Sequence, residues 1–298
     1  MDTLSVILLS FAINDDIYEM NCNAIDSLYR SERWKEGELD VVLVESCHLS
    51  HYQYDMWGGV SVVKPSEPFN FHRFFNIGMA LAKGQWIAFC NNDILFVKGW
   101  WTAIKDVYAE HKDWLCFSPI DDHYPKMAAL DKTKPYHLGW DYGKYMAQWC
   151  FVWNRRVFDI IGGGLDETFN FYAADADEEM TLRYWAIPNI AVTKSVVRHL
   201  ASQTIGKVRE DEHTKKLDPK QYPLTKEELR RGYQWLWDDI RWYDAWQKEK
   251  NKWGNLWTRR RLHRILDKYP FLQQRWITKI IYSKRGNVII NFLTGMKD

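Results

Sequence analysis

Residues 76–100 read N-I-G-M-A-L-A-K-G-Q-W-I-A-F-C-N-N-D-I-L-F-V-K-G-W, and their order decides the fold. Helix-forming residues run to Lys83, and Gly84 stands where a left-handed helix cap is cheapest for a residue without a Cβ. Residues 86–90 are a short apolar run of the kind that becomes a strand buried on both faces. The run stops at Asn91, Asn92 and Asp93, residue types that favour turns. Working outward, residues 4–12 read as an earlier buried strand. The helix after it is capped by Asn14, carries Asp15 and Asp16 at its positive end, and repeats Ile17, Met20, Ala24 and Leu28 on one face. Residues 39–44 and 60–63 are the next strands, and 71–83 the next helix. Strands alternating with helices predict an α/β domain built on a mostly parallel sheet. Ligands bind such sheets beyond the carboxyl ends of the strands.

The 298 residues contain 46% hydrophobic and 27% charged side chains with 9 Pro, a globular composition without repeats. No apolar run approaches the length of a membrane span. The first residues lack a basic, cleavable leader, so a cytoplasmic protein is expected. Five cysteines without a C-x-x-C pair read as reduced core residues. No G-x-x-x-x-G-K-[ST], G-x-G-x-x-G or G-x-S-x-G motif occurs, which removes support for P-loop, dinucleotide redox and serine-hydrolase chemistry. From about residue 216 the chain turns helical, Trp-rich and basic, so the expected division is 1–215 and 216–298. Thr225 and Glu228 form a capping-box signal there. Trp235, Trp242, Trp246, Trp253 and Trp257 share a sector at ~100° per residue and are read as packing against the first domain, not as a sugar platform. The net charge of +1 conceals 11 Lys/Arg against 2 Asp/Glu in residues 251–298.

The unit at 76–100 resembles the family 2 glycosyltransferases of the GT-A fold, in which a helix ending in A-x-G leads to a strand and an N-N-D or D-x-D turn. The likeness continues in order. Residues 41–46 resemble the second strand with the acid that holds the nucleoside. Residues 163–167, G-G-L-D-E, are similar to a G-G-F-D-E segment, and 174–177, A-D-A-D, fall where the family has E-D-x-D. His199, after a strand-like run at 190–197, matches a late His of the metal site. The resemblance spans about residues 4–205. It implies a Rossmann-like mixed sheet flanked by helices, with a C-terminal helical extension.

It also implies an enzyme that moves a sugar, with inversion, from a nucleotide-sugar, a UDP-sugar first, to an acceptor hydroxyl. The breaking bond leaves negative charge on a diphosphate, which a divalent cation, Mn²⁺ or Mg²⁺, neutralises on oxygen ligands. Asp93 and His199 are the candidate metal ligands. Glu45, Arg73, Asn76, Asn92 and Asp93 are the candidate donor-binding residues, Arg73 because a phosphate at that helix start also meets free N–H groups. Asp175 is the candidate base that deprotonates the acceptor, while Ala174 departs from the family's Glu and leaves the acceptor open. Asp121, Asp122 and His123 are read as a solvated loop. Saccharide or glycolipid acceptors are expected first. One alternative is a phage-type enzyme acting on hydroxymethylated DNA bases, with Trp149 and Trp153 lining a pocket for an extruded base. A non-catalytic nucleotide-sugar or glycan-binding protein is the other. The basic end, including Arg259, Arg260 and Arg261, is expected to meet an anionic surface, placing the protein on DNA or peripherally on a membrane.

Overall fold

The apolar runs of the N-terminal half lie side by side as parallel strands. β1 (Leu4–Ser10) is paired on one edge with β2 (Leu39–Glu45) and on the other with β4 (Trp86–Asn91), and β3 (Val60–Val63) pairs with β2. The computed structural model describes residues 3–170, 172–200, 216–254 and 256–283. Among the described residues the sheet has nine strands. It continues antiparallel from β4 to β8 (Cys150–Asn154) and from β8 to β6 (Cys116–Ile120), then parallel from β6 to the long β9 (Asn189–His199), with the short β5 (Ile94–Phe96) and β7 (Tyr136–Leu138) antiparallel to β9. Every residue of β1 is buried because apolar side chains pack on both faces. This is the expected mixed, mostly parallel sheet flanked by helices.

Local signals place the first helices. α1 (Asp15–Ser31) starts where the Asn14 side chain accepts the Ile17 N–H, and α2 (Phe71–Leu81) where Asn70 accepts that of Arg73. Gly84 differs from the sequence expectation. α2 ends at Ala82 in extended backbone, and Gly84 is not left-handed. The glycine is required by a close approach, since a Cβ there would lie 2.4 Å from the backbone N of Ser5. Ser5 Oγ accepts the N–H groups of Lys83 and Gly84, clamping the loop to β1. The cysteines are free as expected; Cys47, Cys90, Cys116 and Cys150 are buried.

α3 (Trp100–Glu110), the one-turn α4 (Pro125–Ala128), α5 (Arg156–Ile161) and α6 (Ala174–Tyr184) complete the first part. The C-terminal part packs directly on α6. It comprises α7 (Lys226–Arg230), a 3-10 turn at Tyr233–Asp238, α8 (Ile240–Trp253), α9 (Leu256–Lys268) and α10 (Arg275–Ile281). The capping box of Thr225 and Glu228 is present at α7. Trp253, Leu262, Leu266 and Tyr282 form one apolar cluster with Met180 of α6. Trp246 and Trp253 therefore pack inward, but Trp235 and Trp242 are 44% and 37% exposed. Asp239, in extended conformation, takes Trp235 out of the helical sector, whereas Trp242 stands in the first turn of α8 against the ring of Tyr172. The side chain of Trp257 lies outside the described residues.

The basic segment is also partly inward. Arg259 is buried with its guanidinium 2.8 Å from Glu249, so it does not face an anionic surface. The side chains of Arg260 and Arg261 lie outside the described residues. No helix among the described residues is long and apolar enough to cross a membrane.

Candidate functional site

Chemistry collects where β4 and β9 end. Because Ile94 of β5 is in register with His199, the turn after β4 is carried against the end of β9, and Asp93 meets His199. The Leu200 N–H donates to the Asp93 carbonyl at 2.7 Å. His199 Nε2 stands 3.2 Å from Asp93 Oδ1. That oxygen is buried and receives no hydrogen bond from the described residues, so the short contact is not a well-aligned donation. The His199 backbone N–H donates to Asp121 Oδ2 at 3.2 Å, and the imidazole stacks on Trp149 at 4.9 Å and 5°. A buried carboxylate oxygen without a donor beside an imidazole nitrogen is a donor set that fits a divalent cation such as Mn²⁺.

The structure adds Asp121 to this group. It follows β6 directly, is 3% exposed, and braces His199, whereas the sequence reading placed it in a solvated loop. The missed signal was position, an acid in the first place after a strand of the sheet. Ligand atoms of Asp121, Asp122 and His123 lie within 4.8 Å of one another. Asp122 is engaged by Arg198 at 3.2 Å, which holds its carboxyl below the ordinary range.

A buried polar chain runs behind the strand ends. Glu45 is fully buried; its Oε1 accepts the N–H groups of Ala12 and Cys47, and its Oε2 accepts the Ser10 hydroxyl at 2.7 Å. Ser10 Oγ accepts an N–H of Asn21, which also donates to the Tyr54 hydroxyl, and Asn21 Oδ1 accepts the Asn92 amide. Glu45 and Asn92 are thus linked through Ser10 and Asn21 immediately behind Asp93. Arg73 and Asn76 lie on α2 and face the 163–167 segment. Arg73 pairs with Glu67 and Glu167, and Asn76 holds Leu165 through its amide oxygen and nitrogen. Gly164 is required there because a Cβ would fall 2.5 Å from Asn76 Oδ1.

Asp175 lies in the first turn of α6, which begins after Ala173 in left-handed backbone, φ 62°, a strained conformation for alanine. Its Oδ1 accepts the Ala176 N–H at 2.9 Å. Burial pushes the carboxyl up, that N–H opposes, and the charge of Glu249 on α8 raises it further. Tyr142 joins Asp175 to the metal candidates. Its ring is 6.3 Å from that of Trp149, and its hydroxyl, raised first by burial, also feels the charge of Asp175. Ala174 is buried in the apolar cluster on that face of the sheet. Asp177 does not cap α6; it accepts the Trp253 indole N–H at 2.6 Å and contacts Lys252 at 2.7 Å, docking α8. Glu178 is buried against His72 at 3.2 Å, and burial pushes its carboxyl up to about 7. His72 Nδ1–H donates to the Asp166 carbonyl.

A cavity of about 280 Å³ lies between α6 and α8, lined by Asp166, Asp177, Thr181, Trp185 and Lys252 among others. It touches neither Asp93, His199 nor Asp175, so the candidate chemistry is placed by the strand ends and not by that hollow. Trp149 is given over to His199, and Trp153 lies fully buried in β8, so the two do not form an open loop for an extruded base.

No family model and no curated protein matches the chain. Among solved structures it is similar to GalNAc-T7 with UDP, GalNAc and Mn²⁺, at 15% identity and TM-score 0.53, over 66% of this chain and 43% of that one. S. aureus TarS 1-349 aligns over 98% of this chain and 92% of its own at 10% identity and TM-score 0.54. The mannosyltransferase PcManGT from Pyrobaculum calidifontis, in complex with GDP-Man and Mn²⁺, aligns over 99% and 88% at 14% identity and TM-score 0.50. Likeness of this kind at such low identity speaks to architecture, and with the strand order above it establishes that the chain has the GT-A fold of glycosyltransferases.

Proposed function

We propose that the chain is an inverting, metal-dependent glycosyltransferase of the family 2 type, moving a sugar from a nucleotide-sugar to a saccharide or glycolipid hydroxyl. The observation that carries this reading is the meeting of Asp93 and His199, with Asp93 Oδ1 buried and lacking a donor. Two similar structures hold UDP or GDP-Man together with Mn²⁺. A UDP-sugar is the first donor to test and GDP-mannose the second. Asp93 and His199 would hold a divalent cation, whose positive charge would stabilise the diphosphate as it leaves. Glu45 and Asn92 serve donor binding by fixing the strand-end loops through Ser10 and Asn21. Arg73 and Asn76 serve it by holding the 163–167 segment.

Asp175 accepts the acceptor's hydroxyl proton while that oxygen bonds the anomeric carbon on the side opposite the diphosphate. The bond to the diphosphate breaks and its electron pair leaves with the phosphate oxygen. A carboxyl raised by burial is a better base than a solvated one, which suits this role. The test is release of nucleotide from UDP-sugars and GDP-mannose with and without Mn²⁺, with product configuration read by NMR. Asp175→Asn should lower the rate about 10²-fold or more and leave donor affinity nearly unchanged. Retention at the anomeric carbon, or a near-wild-type rate in that variant, would overturn the assignment.

A further inference from the structure

The two tryptophans that α7 and α8 leave in solvent form a surface of their own. Trp235 and Trp242 are 44% and 37% exposed, with ring centroids 5.4 Å apart at 81°. Trp242 also lies 4.1 Å from the ring of Tyr172, inclined at 35°, and Arg241 lies over the same tyrosine at 5.7 Å. Tyr172 is three residues ahead of Asp175, at the entry to α6. Other tryptophans of this region are committed to structure. Trp237 Nε1 donates to the Tyr222 carbonyl, Trp246 Nε1 to Glu228, and Trp253 Nε1 to Asp177. Two exposed indole rings, one packed on a buried tyrosine at the entry to the helix that carries the candidate base, are the feature that packing does not explain.

We propose that Trp235 and Trp242, the latter backed by buried Tyr172, form the acceptor platform, on which the apolar faces of a neutral saccharide chain stack as its terminal hydroxyl reaches Asp175. The proposal rests on the glycosyltransferase reading above and names its acceptor class. Rigid aromatic side chains give large contact area at small entropic cost, which suits a flat, polyhydroxylated ligand.

Charge decides among the acceptor classes. Residues 225–250 hold six basic and six acidic side chains. The arginines of this segment are engaged in ion pairs, Arg241 with Asp239 at 2.8 Å and Arg230 and Arg231 with Glu227. Stacking surfaces for single-stranded nucleic acid combine aromatics with a positively charged groove, and duplex or anionic-lipid binding needs cations available to phosphates. Here the aromatics occur without that excess of positive charge, which leaves an uncharged ligand as the match.

The experiment uses the full chain on a printed array of neutral, sulfated and sialylated glycans, followed by titration of the strongest neutral binder. Duplex DNA and anionic phosphatidylserine vesicles are run across a salt series alongside. Wild-type protein should bind neutral glycans with little salt dependence. Trp235→Ala and Trp242→Ala should each weaken that binding at least tenfold, and Trp242→Phe, which keeps a stacking ring, should restore most of it. All three variants should keep the wild-type thermal shift with UDP and Mn²⁺, which shows that they are folded. Trp235, the more exposed ring, keeps the test readable if Trp242→Ala unfolds. Wild-type failure to bind any neutral glycan, retention of binding in both alanine variants, or ring-dependent binding to DNA or vesicles instead would overturn the platform. Loss of the nucleotide shift in the wild type would count against the donor site and leave the glycan arm independently readable.

Discussion

Replacing Asp93 by Asn tests whether the carboxylate is held in place for a cation. Asp93 is 4% exposed, its Oδ1 receives no hydrogen bond from the described residues, and His199 Nε2 stands 3.2 Å from that oxygen. A buried polar group left without a partner costs about 1–3 kcal/mol, more when charged. Asn removes the charge, keeps the shape, and can turn its amide toward His199. The metal-free Asp93→Asn protein should therefore be more stable than wild type by about 1–3 kcal/mol. At roughly 2 °C per kcal/mol for a chain of this size, its Tm rises by about 2–6 °C. Metal reverses the order. Mn²⁺ at a hundredfold excess over its dissociation constant stabilises the wild type by about 2.7 kcal/mol, and the variant loses most of that gain along with turnover. Differential scanning calorimetry in EDTA and then in an Mn²⁺ series, each with and without UDP, reads both effects. An undiminished Mn²⁺ shift in the variant, or a metal-free variant that melts several degrees lower than wild type, would refute the reasoning.

Asp177→Ala strips the Trp253 indole and Lys252 of an acceptor and should lower stability by about 1–3 kcal/mol in urea unfolding. Asp177→Asn keeps an oxygen for Trp253 and should be close to neutral; equal effects from the two would contradict the docking role. The Glu178 carboxyl, pushed up to about 7 by burial, holds its proton to a higher pH in the folded than in the unfolded chain. Its contribution to stability is full below about 4.5 and is lost as the pH rises through about 7. Wild type should thus lose stability between pH 5 and pH 8 more steeply than Glu178→Gln; parallel profiles would show that the pair does not titrate in this window. Gly84→Ala drives a Cβ to 2.4 Å from the β1 backbone and should lower the Tm by several degrees, and a Tm unchanged within 1 °C would mean the loop yields.

What the sequence determined by itself is short-range. Apolar runs placed β1, β2 and β4. Side-chain caps at Asn14 and Thr225 started their helices within one turn, and the end of β4 put Asp93 at the carboxyl end of a parallel strand. Each of these depends on residues a few positions apart, so local pattern and capping chemistry suffice. The partners of buried polar groups do not follow from local pattern. Only the folded chain decides that Asp121 and Trp149 brace His199, that three donors surround the carboxylate of Glu45, and that Arg259 turns inward to Glu249. The tryptophans show the same limit. One helical projection carries no knowledge of the break at Asp239, which takes Trp235 out of the helix, nor of which elements reach Trp246 and Trp253 but leave Trp242 of the same helix in solvent. A buried charge or ring is settled by whichever distant group desolvates it and offers a bond, and that choice is made in three dimensions.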